Sequence, residues 1–127
     1  MKKGMFATLA VLLLVAGFAF AGQKEKIAVV AEAKTLEAQV SGQPGASSFI
    51  LFFDEKGKLI EAMANPAKGA QSAGIAAVDF LASKGTTIAV AAEYGPQIGD
   101  VMKNKGIKTV TFKGTVKEAV KNVLKSK

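Results

Sequence analysis

The sequence predicts an α/β fold, a five-stranded mixed sheet in the order β-β-β-α-β-α-β-α with an N-terminal antiparallel hairpin edge. Three observations carry that expectation. Short unbroken apolar runs, Ile27–Ala31 foremost, read as strands buried on both faces. After Asn65-Pro66 the apolar spacing changes from that of strands to the helical period of about 3.6. Each of the first two helical stretches then stops at a glycine, Gly85 or Gly106, directly before another apolar run, as helix–strand alternation requires.

The elements follow in order. Ile27–Ala31 is the first strand. Residues 32–47 hold no sustained period and end in Ser41-Gly42-Gln43-Pro44-Gly45, so they read as a long loop, a length often reserved for function. Phe49–Phe53 is the second strand; Asp54-Glu55-Lys56-Gly57 turns the chain, and residues 58–64 return as its antiparallel partner. Ile75, Val78, Leu81 and Ala82 recur at helical spacing, with Ser72 the expected N-cap and Gly85 the stop. Residues 86–92 are the fourth strand. Pro96 opens the second helix at the one position where its missing N–H costs nothing, and Ile98, Val101 and Met102 form its inner face. Residues 107–112 are the fifth strand. Thr115-Val116-Lys117-Glu118 is a capping box ahead of a helix whose Val116, Ala119, Val120, Val123 and Leu124 face inward.

The first 21 residues stand apart. Lys2 and Lys3 precede an apolar run from Met5 to Phe18, and Ala19-Phe20-Ala21 places small residues at a signal-peptidase site. That run is shorter than the roughly 20 residues a spanning helix needs. Residues 1–21 are therefore expected to be a cleavable signal peptide, and 22–127 one exported, periplasmic domain with no membrane association after cleavage.

Composition narrows the chemistry. Of 127 residues none is Cys, His or Trp, and every positive side chain is a lysine. Zinc sites, thiolate-held iron–sulfur clusters, Cys nucleophiles and His bases are all out of reach of this chain alone. The net charge of +7 favours anionic partners. Nucleic acid is not expected among them, because arginine is missing and aromatic stacking platforms are few. No P-loop or Gly-x-Ser-x-Gly elbow occurs. Glu32, Glu93 and Asp54 evoke a two-metal nuclease, but Asp54 belongs at the opposite end of the sheet. A hard cation between Glu32 and Glu93, or soft copper(I) ligation by Met63 and Met102, has no further support.

In an open α/β sheet, ligands bind beyond the carboxyl ends of the parallel strands. The loops there are residues 32–47, 65–73 and 93–97, and two of them run into helix N-termini, which favour anions. Gly69, Gly74 and Gly95 let backbone approach a ligand, and Lys34 and Lys68 supply charge. An anionic metal–sulfur cluster, a molybdate-like oxyanion or a phosphate ester can be held there by backbone amides, Gln71, Ser72 and Lys68. Tyr94 stands at the same end, to stack on a ligand or to cap the sheet. The alternative is that these glycines and prolines are ordinary turn chemistry.

The ordered set Ser41 and Gly45 before Phe49-Ile50-Leu51-Phe52-Phe53-Asp54, then Asn65-Pro66, Ala73-Gly74-Ile75, Tyr94-Gly95-Pro96 and Gly106-Ile107 resembles the dinitrogenase iron–molybdenum cofactor biosynthesis family. The resemblance spans the mature chain. It implies a ribonuclease-H-like fold and a nitrogenase-accessory type of carrier that binds a metal–sulfur cluster and performs no chemistry. Many members have His-Phe-Gly-Arg in the loop before the second strand; Gln43-Pro44-Gly45-Ala46 stands there in this chain. The expectation is thus a non-enzymatic periplasmic carrier of an iron–molybdenum, or copper, sulfur cluster or related oxyanion, held without Cys or His. Its site draws on Lys34, Gln43, Gly45, Lys68, Gly69, Gln71, Ser72, Gly74, Tyr94 and Gly95. The alternative is a protein-interaction scaffold that keeps the fold without the ligand.

Overall fold

The computed structural model describes residues 24–126, and the expected signal peptide lies outside them. Five strands form one sheet in the order β3-β2-β1-β4-β5. They are β1 (Ile27–Ala31), β2 (Phe49–Phe53), β3 (Leu59–Ala64), β4 (Ile88–Ala91) and β5 (Lys108–Thr111). The helices are α1 (Ala73–Ser83), α2 (Pro96–Asn104) and α3 (Val116–Lys125). β2 pairs antiparallel with both β1 and β3, whereas β1–β4 and β4–β5 are parallel. The mixed sheet with its hairpin edge is thus the one the sequence predicts.

Central β1 is buried along its whole length because both faces are covered. On one face Val29, Leu51, Phe53 and Val90 pack against Val116, Ala119, Val120 and Val123 of α3. On the other, Val30, Ile50, Phe52 and Ala89 meet Val78 and Leu81 of α1 and Met102 of α2. Burying these side chains, at about 1.5–3 kcal/mol for each large one, is what fixes the register.

Strands β3 and β4 are shorter than expected, each for a hydrogen-bonding reason. Lys58 closes the hairpin turn instead of entering β3, its amide donating to the Asp54 carboxylate at 2.8 Å. Thr86 and Thr87 precede β4, and the Thr87 amide donates to the Lys26 carbonyl. At the other end Ala92 leaves the ladder to donate to Ser41 in the long loop. That loop is tied down: Val40 pairs with Ala31, Gln39 bridges Thr115, and Pro44–Ala46 forms a 3-10 turn. Ser72 stands at the head of α1 but does not cap it. Its backbone is left-handed (φ 57°) and its side chain makes no capping bond, unlike Thr115, which accepts from the Glu118 amide in a complete capping box.

Candidate functional site

The site begins with one buried amide. Asn65, just past β3 and 6 % exposed, donates from Nδ2 to the carbonyls of Pro44 (2.8 Å) and Ser47 (2.9 Å). Its Oδ1 accepts from the Ala67 amide at 3.0 Å, an Asx-type turn. One side chain thereby pins the 3-10 turn before β2 to the loop that leads into α1. The Ser47 hydroxyl reinforces the same turn by donating to the Gln43 carbonyl at 2.8 Å.

Pinned in this way, the turn lies across the start of α1. A methyl group on Gly45 would stand 2.6 Å from the Gly74 nitrogen and 2.7 Å from the Ala73 carbonyl carbon. Backbone therefore touches backbone at that crossing, and only glycine fits. Gly74 in turn gives room to Ile98 of α2, whose Cδ1 would lie 2.6 Å from an added Cβ. Turn, helix α1 and helix α2 stack through two missing side chains.

A cavity of about 510 Å³ opens beside this stack, at the carboxyl end of β1 and β4. Its walls are Gln43, Pro44, Gly45 and Ala46 from the turn, Lys68, Gly69 and Ala70 from the loop, and Ala73, Gly74 and Ile98 from the helices. Gly69 takes a positive φ of 83° with no atom within 4 Å of where a Cβ would be, so its backbone is open. Lys68 supplies the cation, its Nζ donating to the Ser48 hydroxyl at 2.7 Å. The rest of the wall is mainly apolar.

Of the residues expected at the site, Gln43, Gly45, Lys68, Gly69 and Gly74 line this cavity. Gly95 heads α2 nearby, 4.0 Å from the Gln43 Oε1 if given a Cβ. Gln71 and Ser72 are exposed and do not form its wall. Two expectations need correction. Lys34 lies over the ring of Phe49 at 5.8 Å, and Phe49 packs on the α3 face of the sheet, away from the cavity. Tyr94 is folded into the core beneath α2, where its hydroxyl donates to the Ala89 carbonyl. Burial pushes that phenol well above its ordinary value of 10.0, against a smaller opposing effect of the Val110 backbone. Tyr94 caps the sheet. Asn65, Ser47 and Ile98 also build the site, although in sequence they read only as turn, loop and helix-core residues; the Asn-Pro step is the signal that marks Asn65 as a turn former.

The donor set decides what such a cavity can hold. Among the described residues no group of three or more acidic, His or Cys side chains is placed to bind a metal ion. A bare ion therefore finds no inner coordination sphere here. A preformed anion that brings its own ligands needs only what the walls offer: one ammonium, open glycine backbone and apolar contact.

A family model described as dinitrogenase iron-molybdenum cofactor matches residues 25–126. The chain belongs to that family. Among solved structures, the apo form of the orange protein from Desulfovibrio gigas is 26 % identical with a TM-score of 0.73, over 80 % of this chain and 88 % of that one. A putative NifB protein from Thermotoga is 27 % identical with a TM-score of 0.67, over 80 % and 88 %. A putative dinitrogenase from Methanocaldococcus jannaschii, 8 % identical with a TM-score of 0.59 over 81 % and 90 %, shares the fold. No match is found among curated proteins. Membership in the iron–molybdenum cofactor family places the chain with small proteins of cofactor-binding or carrier type.

Proposed function

We propose that the chain is a non-enzymatic carrier of a preformed anionic metal–sulfur species, of the iron–molybdenum type its family is named for, exported to the periplasm. The observation that carries this reading is the mismatch between the cavity and a bare metal. The space is large, and among the described residues no ligating cluster is built. Cargo that arrives fully ligated by sulfide fits such walls. Its negative charge meets Lys68, its sulfides lie against the open backbone of Gly69, since the amides of Lys68 and Ala70 already donate to the carbonyls of Asn65 and Ala67, and its soft surface lies against Pro44, Ala46 and Ile98. Copper in place of iron changes nothing in that recognition, because the protein touches only the outer atoms.

Equilibrium titration with a thiomolybdate anion, followed by its visible absorption, tests the proposal. Lys68→Ala is expected to weaken binding about ten- to a hundredfold, the scale of one charge-assisted hydrogen bond of about 1.5–3 kcal/mol. An unchanged affinity, or none in the parent protein, would count against the carrier. A second reading, a protein-interaction scaffold without cargo, draws on Gly45 and Gly74, whose close contacts are explained by packing alone. Pull-down of a stoichiometric partner by a protein that binds no thiomolybdate favours that reading.

A further inference from the structure

The charge of the domain is divided along the sheet. Opposite the cavity lies the end formed by the starts of β1, β4 and β5, the β2–β3 hairpin turn and the C-termini of all three helices. Among the described residues that end carries ten lysines against five carboxylates, and the rest of the domain four against five. Ion pairs take Lys24, Lys84 and Lys105 to Glu55, Glu61 and Asp79. Lysines at helix ends answer the helix dipole, and Lys26 joins them by donating from Nζ to the Lys84 carbonyl at the end of α1 (2.8 Å) while lying over the Phe52 ring; Lys56 and Lys58 in the hairpin turn have no such role.

Apolar surface accompanies that charge. Leu59 and Ile60, 41 % and 53 % exposed, are two of the three exposed large hydrophobic residues among the described residues. They open edge strand β3 directly after Lys56 and Lys58. The turn itself is held by the Asp54 carboxylate, which accepts from the amides of Lys56 and Lys58 at 2.9 and 2.8 Å. Its Gly57 seats against Leu124 of α3, so the hairpin joins the lysines at the end of that helix in one surface.

In place of the expected absence of membrane association after cleavage, we infer that this end is a docking face for an anionic membrane surface, with Leu59 and Ile60 seated at headgroup level among the lysines and the cavity turned away from the bilayer. Basic residues draw the face to negative lipid, and exposed aliphatic side chains beside them give it a place to settle. A carrier docked in this way holds its cargo site open to partners in solution. The inference stands on the charge and the hairpin and does not depend on the nature of the cargo.

The experiment is vesicle co-sedimentation of residues 22–127, whose core is complete within the described residues. The vesicles are phosphatidylcholine alone, or phosphatidylcholine and phosphatidylglycerol in equal parts. Binding is expected only to the second, and raising salt to about 1 M should release it as the Debye length falls to about 3 Å. The double variant Lys56→Glu, Lys58→Glu should lower partitioning on the order of a hundredfold. Leu59→Ser with Ile60→Ser should lower it about tenfold. Lys113→Glu with Lys117→Glu makes the same charge change away from the face and should alter it less than about threefold. Circular dichroism melts confirm that each variant is folded. No binding to anionic vesicles, or equal loss in the Lys113/Lys117 control, overturns the inference. So does a concentration-dependent dimer, seen by sedimentation without vesicle binding and abolished by the Leu59/Ile60 variant, since β3 would then serve a second copy.

Discussion

Replacing Asn65 by alanine should unfold the site before it unfolds the sheet. The substitution removes two donors and one acceptor at 2.8–3.0 Å from a side chain that is 6 % exposed. It orphans the Ser47 carbonyl and the Ala67 amide and leaves the Pro44 carbonyl only its long bond from the Ser47 amide at 3.4 Å. At about 1 kcal/mol net per bond, with more where a buried group is left unpaired, the loss is about 3–4 kcal/mol. For a domain of roughly 100 residues that lowers Tm by roughly 15–20 °C. Urea denaturation followed by far-UV circular dichroism measures it directly. Asn65→Asp is the informative companion. It keeps the acceptor toward Ala67 but sets an oxygen against two carbonyls, so at neutral pH it should cost at least as much. A loss below about 1 kcal/mol for Asn65→Ala would mean that the turn holds itself and that the amide is incidental, which would refute the reasoning.

Gly45→Ala should destabilise by about 1–3 kcal/mol or more in the same melt, because the added methyl meets backbone atoms that have no side-chain freedom to yield. Thr115→Ala should cost about 1 kcal/mol, since it deletes the hydroxyl that accepts from the Glu118 amide. The Glu118 carboxyl is held below its ordinary 4.5 chiefly by the backbone amide of Thr115. The stability it contributes is present above that value and is lost as pH falls through the lower folded-state value, an acid-side slope that Glu118→Gln should flatten. Tyr94 gives the opposite sign. Its folded phenol titrates above the ordinary 10.0, so its contribution is complete below pH 10.0 and is lost as pH rises beyond it. Tyr94→Phe should remove that alkaline slope in melts taken across the range.

The sheet was legible because its signals are local. β1, β2 and the Thr115 capping box depend on runs of side chains whose burial or bonding is decided within a few residues. Gly85 and Gly106 stop their helices with positive φ, as glycines placed there should. The site was legible only in part, because its signals are long-range. Gly45 reads in sequence as a turn glycine; only the fold brings it against Gly74, twenty-nine residues on. Asn65 reads as a strand closer, whereas its donors reach a turn twenty-one residues earlier. Lys34 and Tyr94 lie at the expected end of the sheet by chain order, but each follows apolar neighbours, Phe49 in one case and the α2 core in the other. Ser72 precedes its helix as an N-cap should, yet it takes a left-handed backbone and leaves the cap unmade.

We propose that this cavity holds a preformed anionic metal–sulfur species without ligation by the protein. Elemental analysis and a visible spectrum of the chain isolated from its native cells, with no metal added, test it most directly. Stoichiometric molybdenum, iron or copper with sulfide charge-transfer absorption is expected, reduced by Lys68→Ala while the melting temperature is unchanged. A colourless, metal-free protein would contradict it and leave the fold as a scaffold.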